Sequence, residues 1–287
     1  MVTPRRRRLA AAGLQDRFGV SERRACAVVA QHRSTQRHQR LRRCDEEHLR
    51  RRLQAMSTKF PRYGYRRIHA LLIREGYACN RKRIQRLWRD EGLHVPRRRP
   101  RRRKHRHNPL RVSAAHPDHV WAIDFVFDET AGGRPVKILN VTDEFTREAL
   151  ACSPARRISA EQTIAILDAL IDERGTTPRF MRMDNGPEFV AKALVAWCRS
   201  KHINASYIDP GSPWQNGFIE SFNGHLRDEL LAMEVFDTMW ELRTLLEEHR
   251  LEYNHYRPHS SLRYLTPVEF AQRWREQDQL ASQRVDR

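Results

Sequence analysis

The chain has 287 residues, 39% of them hydrophobic and 31% charged, with a formal net charge of +19. That length buries one large core or two ordinary ones, and that charge points to a phosphate-rich partner. No apolar run approaches the roughly 18 residues of a membrane span, which argues against insertion and export. Five scattered cysteines, at 26, 44, 79, 152 and 198, contain no Cys-x-x-Cys pair and so speak against a disulfide framework or a zinc knuckle and for a reducing cytoplasm.

The charge is not spread evenly. Residues 1–111 hold 34 Lys+Arg against 8 Asp+Glu, and the remainder 20 against 27. A nucleic-acid-binding arm joined to a carboxylate-bearing body partitions in this way. In chain order, Leu9 to Ala30 reads as two helices around Gly19, the second capped by Ser21, and Asp45 caps a helix carrying Leu49, Leu53 and Met56. Tyr63 to Gly92 reads as helix, turn, helix. Ile68, Leu71 and Leu72 line the first helix, Gly76 stops it, Asn80 caps the second, and Ile84, Leu87 and Trp88 form the second inner face. Arg66 and Arg67 on the first helix, with Arg81, Lys82, Arg83 and Arg86 on the second, are the expected DNA contacts. The expected domains are a helix-turn-helix region over 1–93, a basic Pro/Arg-rich linker over 94–115, a catalytic body with C-terminal helices over 116–275 and a polar tail over 276–287. Within the linker, Arg97 to Arg106 has eight basic residues in ten positions.

From His119 the period becomes two. Trp121, Ile123, Phe125 and Phe127 share one strand face, which leaves Asp124 between Ala122 and Val126 on the other. Strands follow at Val136 to Val141 and Ala149 to Ser153, then a helix capped by Ser159-x-x-Gln162, then a short strand from Arg179 to Asp184 that stops at Asp184-Asn185-Gly186-Pro187. Glu188 to Lys201 reads as a helix burying Phe189, Leu194 and Trp197, and Ile203 to Ile208 as a fifth strand. This order implies a mixed α/β sheet with helices on its faces. A last helix, from Phe218 through Arg227, sets Glu220, Asn223, Gly224 and Arg227 along one face.

Asp124, Asp184 and Glu220 therefore sit on an early strand, at a later strand end and on a following helix, and can converge at one sheet edge. Unpaired they repel and raise one another's pKa; a pair of Mg²⁺ or Mn²⁺ ions relieves that and can activate water or a 3′-hydroxyl against a phosphodiester. Each acid also has a plainer role: a strand-edge charge, a turn residue bonding its own backbone, and a first-turn helix acid. His255, Arg257 and His259 are expected as a surface or DNA-side cluster.

Asp124, Asp184 and Glu220, with 35 residues between the last two, resemble the DDE signature of retroviral-integrase-like transposases. The strings WAIDFV, LNVTDEFTRE, MDNGPEF, PGSPWQNGFIESFNGHLRDELL, YNHYRPHSSL and RYGYRRIHALL resemble the second-reading-frame product of bacterial insertion sequences of the "IS three" family, over roughly Leu14 to Phe270. Arg263 stands where that family frequently has glycine. The resemblance implies an RNase H-like integrase core, with the three acids as metal-binding catalytic residues, Arg227 at the DNA backbone, and an N-terminal helix-turn-helix region binding element ends. It further implies strand nicking and transfer without a covalent protein intermediate, at least a dimer, and an upstream reading-frame product as partner or fusion. The competing readings are a catalytically silent DNA-binding regulator using the basic half, and an RNase H-like ribonuclease.

Overall fold

A computed structural model describes residues 3–38, 44–93, 112–186, 188–208 and 216–285. It divides into two units, Met1–Arg52 and Leu53–Arg287. The expected linker run 97–106 and the loop 210–215 lie outside the described residues.

In the first unit, α1 (Pro4–Phe18) begins at a Thr3 cap and stops at Gly19, whose φ of 60° is left-handed backbone suited to glycine. Ser21 caps α2 (Glu22–Val28), and α3 (Arg33–Arg37) follows. Ala11, Ala25 and Cys26 are buried, so the core that α1 and α2 contribute is made of small residues. Bonds from arginine side chains to the backbone compensate: Arg7 donates to the Ala30 carbonyl at 2.7 Å and Arg8 to that of Thr35 at 2.8 Å. Helix α4 (Glu46–Lys59) spans the division between the units.

The second unit opens with the expected helix pair, α5 (Tyr65–Arg74) and α6 (Arg81–Asp90), the latter capped by the Asn80 side chain. Ile68, Leu71, Leu72, Ile84, Leu87 and Trp88 are all buried, as their spacing predicts. Five strands follow: β1 (Val120–Glu129), β2 (Pro135–Asp143), β3 (Ala149–Ala155), β4 (Phe180–Met183) and β5 (Asn204–Tyr207). They form one sheet in the order β3-β2-β1-β4-β5, antiparallel through β1 and parallel beyond it. The parallel pairs need crossovers, supplied by α7 (Ala160–Arg174) and α8 (Lys192–Ser200). Ser159 and Gln162 form the expected capping box of α7.

Helix α8 starts at Lys192, four residues later than the apolar spacing predicts. Gly186 is the reason: its carbonyl accepts from both Phe189 and Val190, tying the segment after Asp184 into a turn, while Glu188 is held by the Lys137 ammonium. Phe189 is nonetheless buried against Phe125 with rings stacked at 4.8 Å.

Both sheet faces are covered. Trp121, Ile123, Leu139, Val141, Met181 and Met183 pack with Leu167, Leu194 and Trp197 on one side. On the other, Val126, Val136 and Ile138 meet Phe222 and Leu226 of α9 (Gly217–Leu226) and Leu242, Leu246 and Tyr253 of α10 (Met239–His255). Each such side chain contributes about 1.5 to 3 kcal/mol on burial. A final helix, α11 (Pro267–Val285), follows a short 3-10 turn, and Arg263, which closes that turn, has a φ of 56°. Such left-handed backbone explains why glycine suits this position.

Between α9 and α10 a π-helical turn, Arg227–Leu231, directs Glu229 inward. Arg257 grips it with two bonds of 2.7 Å, and Arg67 of α5 reaches it at 3.4 Å. This corrects two expectations. Arg257 and His259 are buried, not a surface cluster, with His259 bonded to the Tyr253 carbonyl, while His255 alone of the three is exposed. Arg67 points into the same cluster instead of outward, because a buried carboxylate recruits the nearest cations. Further arginines anchor the helix pair on this side: Arg62 on the Asp228 carbonyl, and Arg74 on the Tyr256 and Tyr264 carbonyls and on Glu269.

Three histidines surround this cluster. Burial, reinforced by the Arg257 charge, pushes His225 and His259 down to about 3; burial likewise takes His249 to about 4. Their ordinary value is about 6.5, so the folded state holds them neutral where the unfolded chain takes up protons. Stability is therefore present above about pH 6.5 and falls as pH drops toward 4, by about 1.4 kcal/mol per pH unit for His259 and less for the more accessible His225 and His249. Urea midpoints measured from pH 7.5 to 4.5 should hold level down to about pH 6.5 and decline below it. A flat profile above pH 5 would mean these rings reach solvent.

Candidate active site

Asp124 occupies the middle of β1 on the face turned to α9, as the alternation predicts. The parallel register pairs Val120 with Phe180 and Ala122 with Arg182; continued two residues along, it sets Asp184, just past the end of β4, beside Asp124. Sites in α/β sheets form at this end of parallel strands, where side chains emerge from the ladder. Glu220 lies one turn into α9, exposed, and Asn223 lies three residues on, buried at 5% exposure.

The electrostatics join the three acids. Burial pushes the Asp124 carboxyl up to about 6, and the charges of Asp184 and Glu220 push it the same way. Two bonds hold it down: the Phe125 N–H donates to Oδ1 at 2.8 Å and the Asn223 amide to Oδ2 at 2.7 Å. Asp184 is half-buried, and its Oδ1 accepts the Gly186 N–H at 2.9 Å. Among the described residues, no three His, Cys, Asp or Glu side chains stand close enough to hold one ion together. The charges of Asp184 and Glu220 nonetheless act on Asp124, and all three supply the hard oxygen donors that suit a divalent cation.

Gly186 has a specific steric duty. A Cβ there would lie 3.0 Å from Asp184 Oδ1, so a side chain forces the carboxylate aside by a few tenths of an ångström. We expect Gly186→Ala to lower any reaction that needs Asp184 by roughly tenfold to a hundredfold, while the melting temperature stays within a few degrees. Unchanged rates would mean that the position of Asp184 does not matter.

Of the remaining expected site residues, Arg227 is exposed at the end of α9 and Gly224 opens onto empty space, since a Cβ there would meet nothing within 4 Å. Arg66, Arg81 and Lys82 are exposed on the helix pair, whereas Arg83 and Arg86 are half-buried. Asn223, on the same helix stripe as Glu220 and Arg227, donates to Asp124. Sequence reasoning missed Asn140, which supports Asn223 from β2, and Glu229. The signal for Asn140 was available: an amide inside the apolar run Val136 to Val141.

Two family profiles described as "Integrase core domain" match residues 114–213 and 201–267, and one described as "HTH-like domain" matches residues 44–101. The chain is 40% identical over 262 residues to an insertion element IS407 uncharacterized protein of Burkholderia multivorans, covering 91% of this chain and 94% of that one. The chain belongs to the integrase-core transposase family of insertion elements. An IS476 protein of Xanthomonas euvesicatoria is 37% identical, covering 96% of this chain and 80% of its own, and a putative IS150 transposase of Escherichia coli is 27% identical, covering 73% and 77%. Among solved structures, a human T-lymphotropic virus 2 (HTLV-2) integrase catalytic core domain in complex with magnesium matches with a TM-score of 0.43 and 21% identity, covering 54% of this chain and 97% of that one. The transposase has the expected α/β integrase core, with a mixed sheet between helices, and a helical region ahead of it in the chain that the HTH-like profile matches. As an insertion-element transposase it is a polynucleotidyl transferase acting on DNA, and its family depends on divalent metal.

Proposed function

We propose that Asp124, Asp184 and Glu220 are the metal-binding catalytic acids with which this transposase nicks element ends and joins them to target DNA. The observation that carries this reading is the half-buried Asp124 carboxylate, bonded to Asn223 and the Phe125 N–H and pushed up to about 6 with the charges of two further acids acting on it. A site that raises a carboxyl's proton affinity in this way also favours a cation in the proton's place. The donors are all carboxylate oxygens, which suit Mg²⁺ or Mn²⁺, and three acids are enough for two ions. When bound, the ions supply the positive charge that activates water or a 3′-hydroxyl and stabilises the leaving oxygen.

The chain's own residues do the rest. Asn223 and the Phe125 N–H hold Asp124, and the Gly186 N–H holds Asp184. Arg227, exposed two turns beyond Glu220 on the same helix, is placed to meet a DNA phosphate beside the reacting one. Arg66, Arg81 and Lys82, supported by Arg83 and Arg86, bind the terminal repeats through phosphate contacts. The partners on this reading are double-stranded DNA of element ends and target, a second copy of the chain, and an upstream reading-frame product, all in the bacterial cytoplasm where the element resides. The helix-turn-helix region extends over 1–93 and the core over 116–275, with the basic linker 94–115 between them and the polar tail 276–287 after.

The test is nicking of labelled DNA that bears the element's terminal repeats, with the chain alone and fused to the upstream product. Cleavage is expected with Mg²⁺ or Mn²⁺, none with chelator, and none from Glu220→Gln with either metal. Binding without cleavage by either form would favour the silent regulator. Preference for an RNA–DNA hybrid would favour the ribonuclease.

A further inference from the structure

Asn140 sits in β2 directly across the ladder from Asp124 and is fully buried on the sheet face it shares with Val136 and Ile138. An amide is an expensive choice for such a position unless both of its ends are bonded. Here only one is. Asn140 Nδ2 donates to Asn223 Oδ1 at 2.8 Å, and Asn140 Oδ1 has no hydrogen-bond partner. The one bond it makes is to Asn223, the residue that donates to Asp124.

The polarity of the chain of bonds follows from charge. An ionised carboxylate can only accept, so Asn223 must turn its N–H toward Asp124, as it does at 2.7 Å. Its oxygen then faces β2 and needs a donor there. Asn140 provides one, and with it in place a flipped Asn223 amide would set two donors against each other on one side and two acceptors on the other. Remove the donor at 140 and the Asn223 oxygen is left without a partner against β2, so the amide is held at one end only and can shift away from Asp124 in search of another donor.

We infer that Asn140 is a positioning residue of the transposition reaction, locking the Asn223 amide in the orientation that donates to Asp124 and so fixing the carboxylate that receives the divalent cation. This rests on the proposed role of Asp124. Partners that orient a ligating carboxylate without touching the metal commonly account for a tenfold to hundredfold change in metal affinity or rate.

The experiment uses the full chain and two readouts: Mn²⁺ affinity from electron paramagnetic resonance of the free ion, and single-turnover nicking at saturating end DNA. Asn140→Leu is expected to weaken Mn²⁺ binding and slow nicking by about tenfold to a hundredfold, with the fold retained and DNA affinity unaltered. In an Asn223→Ala background the same substitution should change either readout less than about twofold, because its route to Asp124 is already gone. If Asn140→Leu melts well below wild type, Asn140→Ala, which likewise carries no donor, is read in its place. Wild-type Mn²⁺ affinity and nicking in the Asn140 variant would overturn the inference, as would an equal loss in the Asn223→Ala background. Asp124→Asn runs alongside: if it keeps wild-type metal binding and nicking, the catalytic assignment itself fails, whereas loss in Asp124→Asn with a wild-type Asn140 variant sinks only the positioning role.

Discussion

Asp184→Asn should reduce strand cleavage by on the order of 10³-fold or more, equivalent to about 4 kcal/mol of transition-state stabilisation, while the protein keeps its fold and its affinity for element ends. The substitution is chosen for what it preserves. The amide oxygen it leaves at position 184 can still accept the Gly186 N–H that the Asp184 carboxylate accepts at 2.9 Å, so the turn after β4 stays formed and Phe189 stays in the core. What disappears is one negative charge beside Asp124. If the carboxylates serve only as a turn residue, a strand-edge charge and a helix-end acid, this change is nearly silent. If they hold catalytic metal, it removes a ligand and the site loses its function. Cleavage of end-labelled DNA, with circular dichroism to verify the fold and a mobility shift to verify binding, separates the two; metal-dependent cleavage near the wild-type rate would count decisively against the catalytic assignment.

Glu229→Gln should destabilise the second unit by about 3 to 5 kcal/mol, or roughly 10 °C in melting temperature for a unit of this size. Burial raises the Glu229 carboxyl, but the bonds and charge of Arg257, with the charge of Arg67, outweigh it and hold the group below its ordinary range. Arg257 is the reason the loss is large: its guanidinium is 2% exposed and makes two hydrogen bonds to this one carboxylate. With glutamine in place of the acid, that cation is buried without its counter-charge. The same cluster ties the helix pair to the π-helical turn that follows α9, so the loss should be visible in thermal melts and in faster proteolysis around residues 60–90. A shift of less than about 2 °C would mean that the pair contributes no more than a surface salt bridge.

The elements that chain order and periodicity specify most clearly are those whose information is local. The Ser159 and Gln162 box starts α7, Asn80 starts α6, glycines 19 and 175 stop helices with left-handed backbone, and period two places Asp124 on the opposite face from Trp121 and Ile123. The elements that carry Asp124, Asp184 and Glu220 were legible for the same reason, since strand, strand end and helix are each readable within a few residues. Where the sequence misled, the deciding contact came from far along the chain. Periodicity continues a helix back to Glu188, but Lys137, far earlier in the chain, holds that side chain while Gly186 closes a turn.

Arg67, Arg257 and His259 read as surface cations because arginine and histidine usually are. Only the tertiary structure supplies Glu229, turned inward by one π-helical turn, and a buried carboxylate reverses the preference of every cation within reach. Asn140 belongs to the same class: one polar residue in an apolar strand carries no direction in sequence, and acquires one from the register that sets it opposite Asp124 and from the helix that brings Asn223 down between them. Local propensity and spacing thus determined which chemical groups this transposase carries and on which elements. Long-range packing decided which of them meet, because burial and charge act through distances that the order of residues does not record.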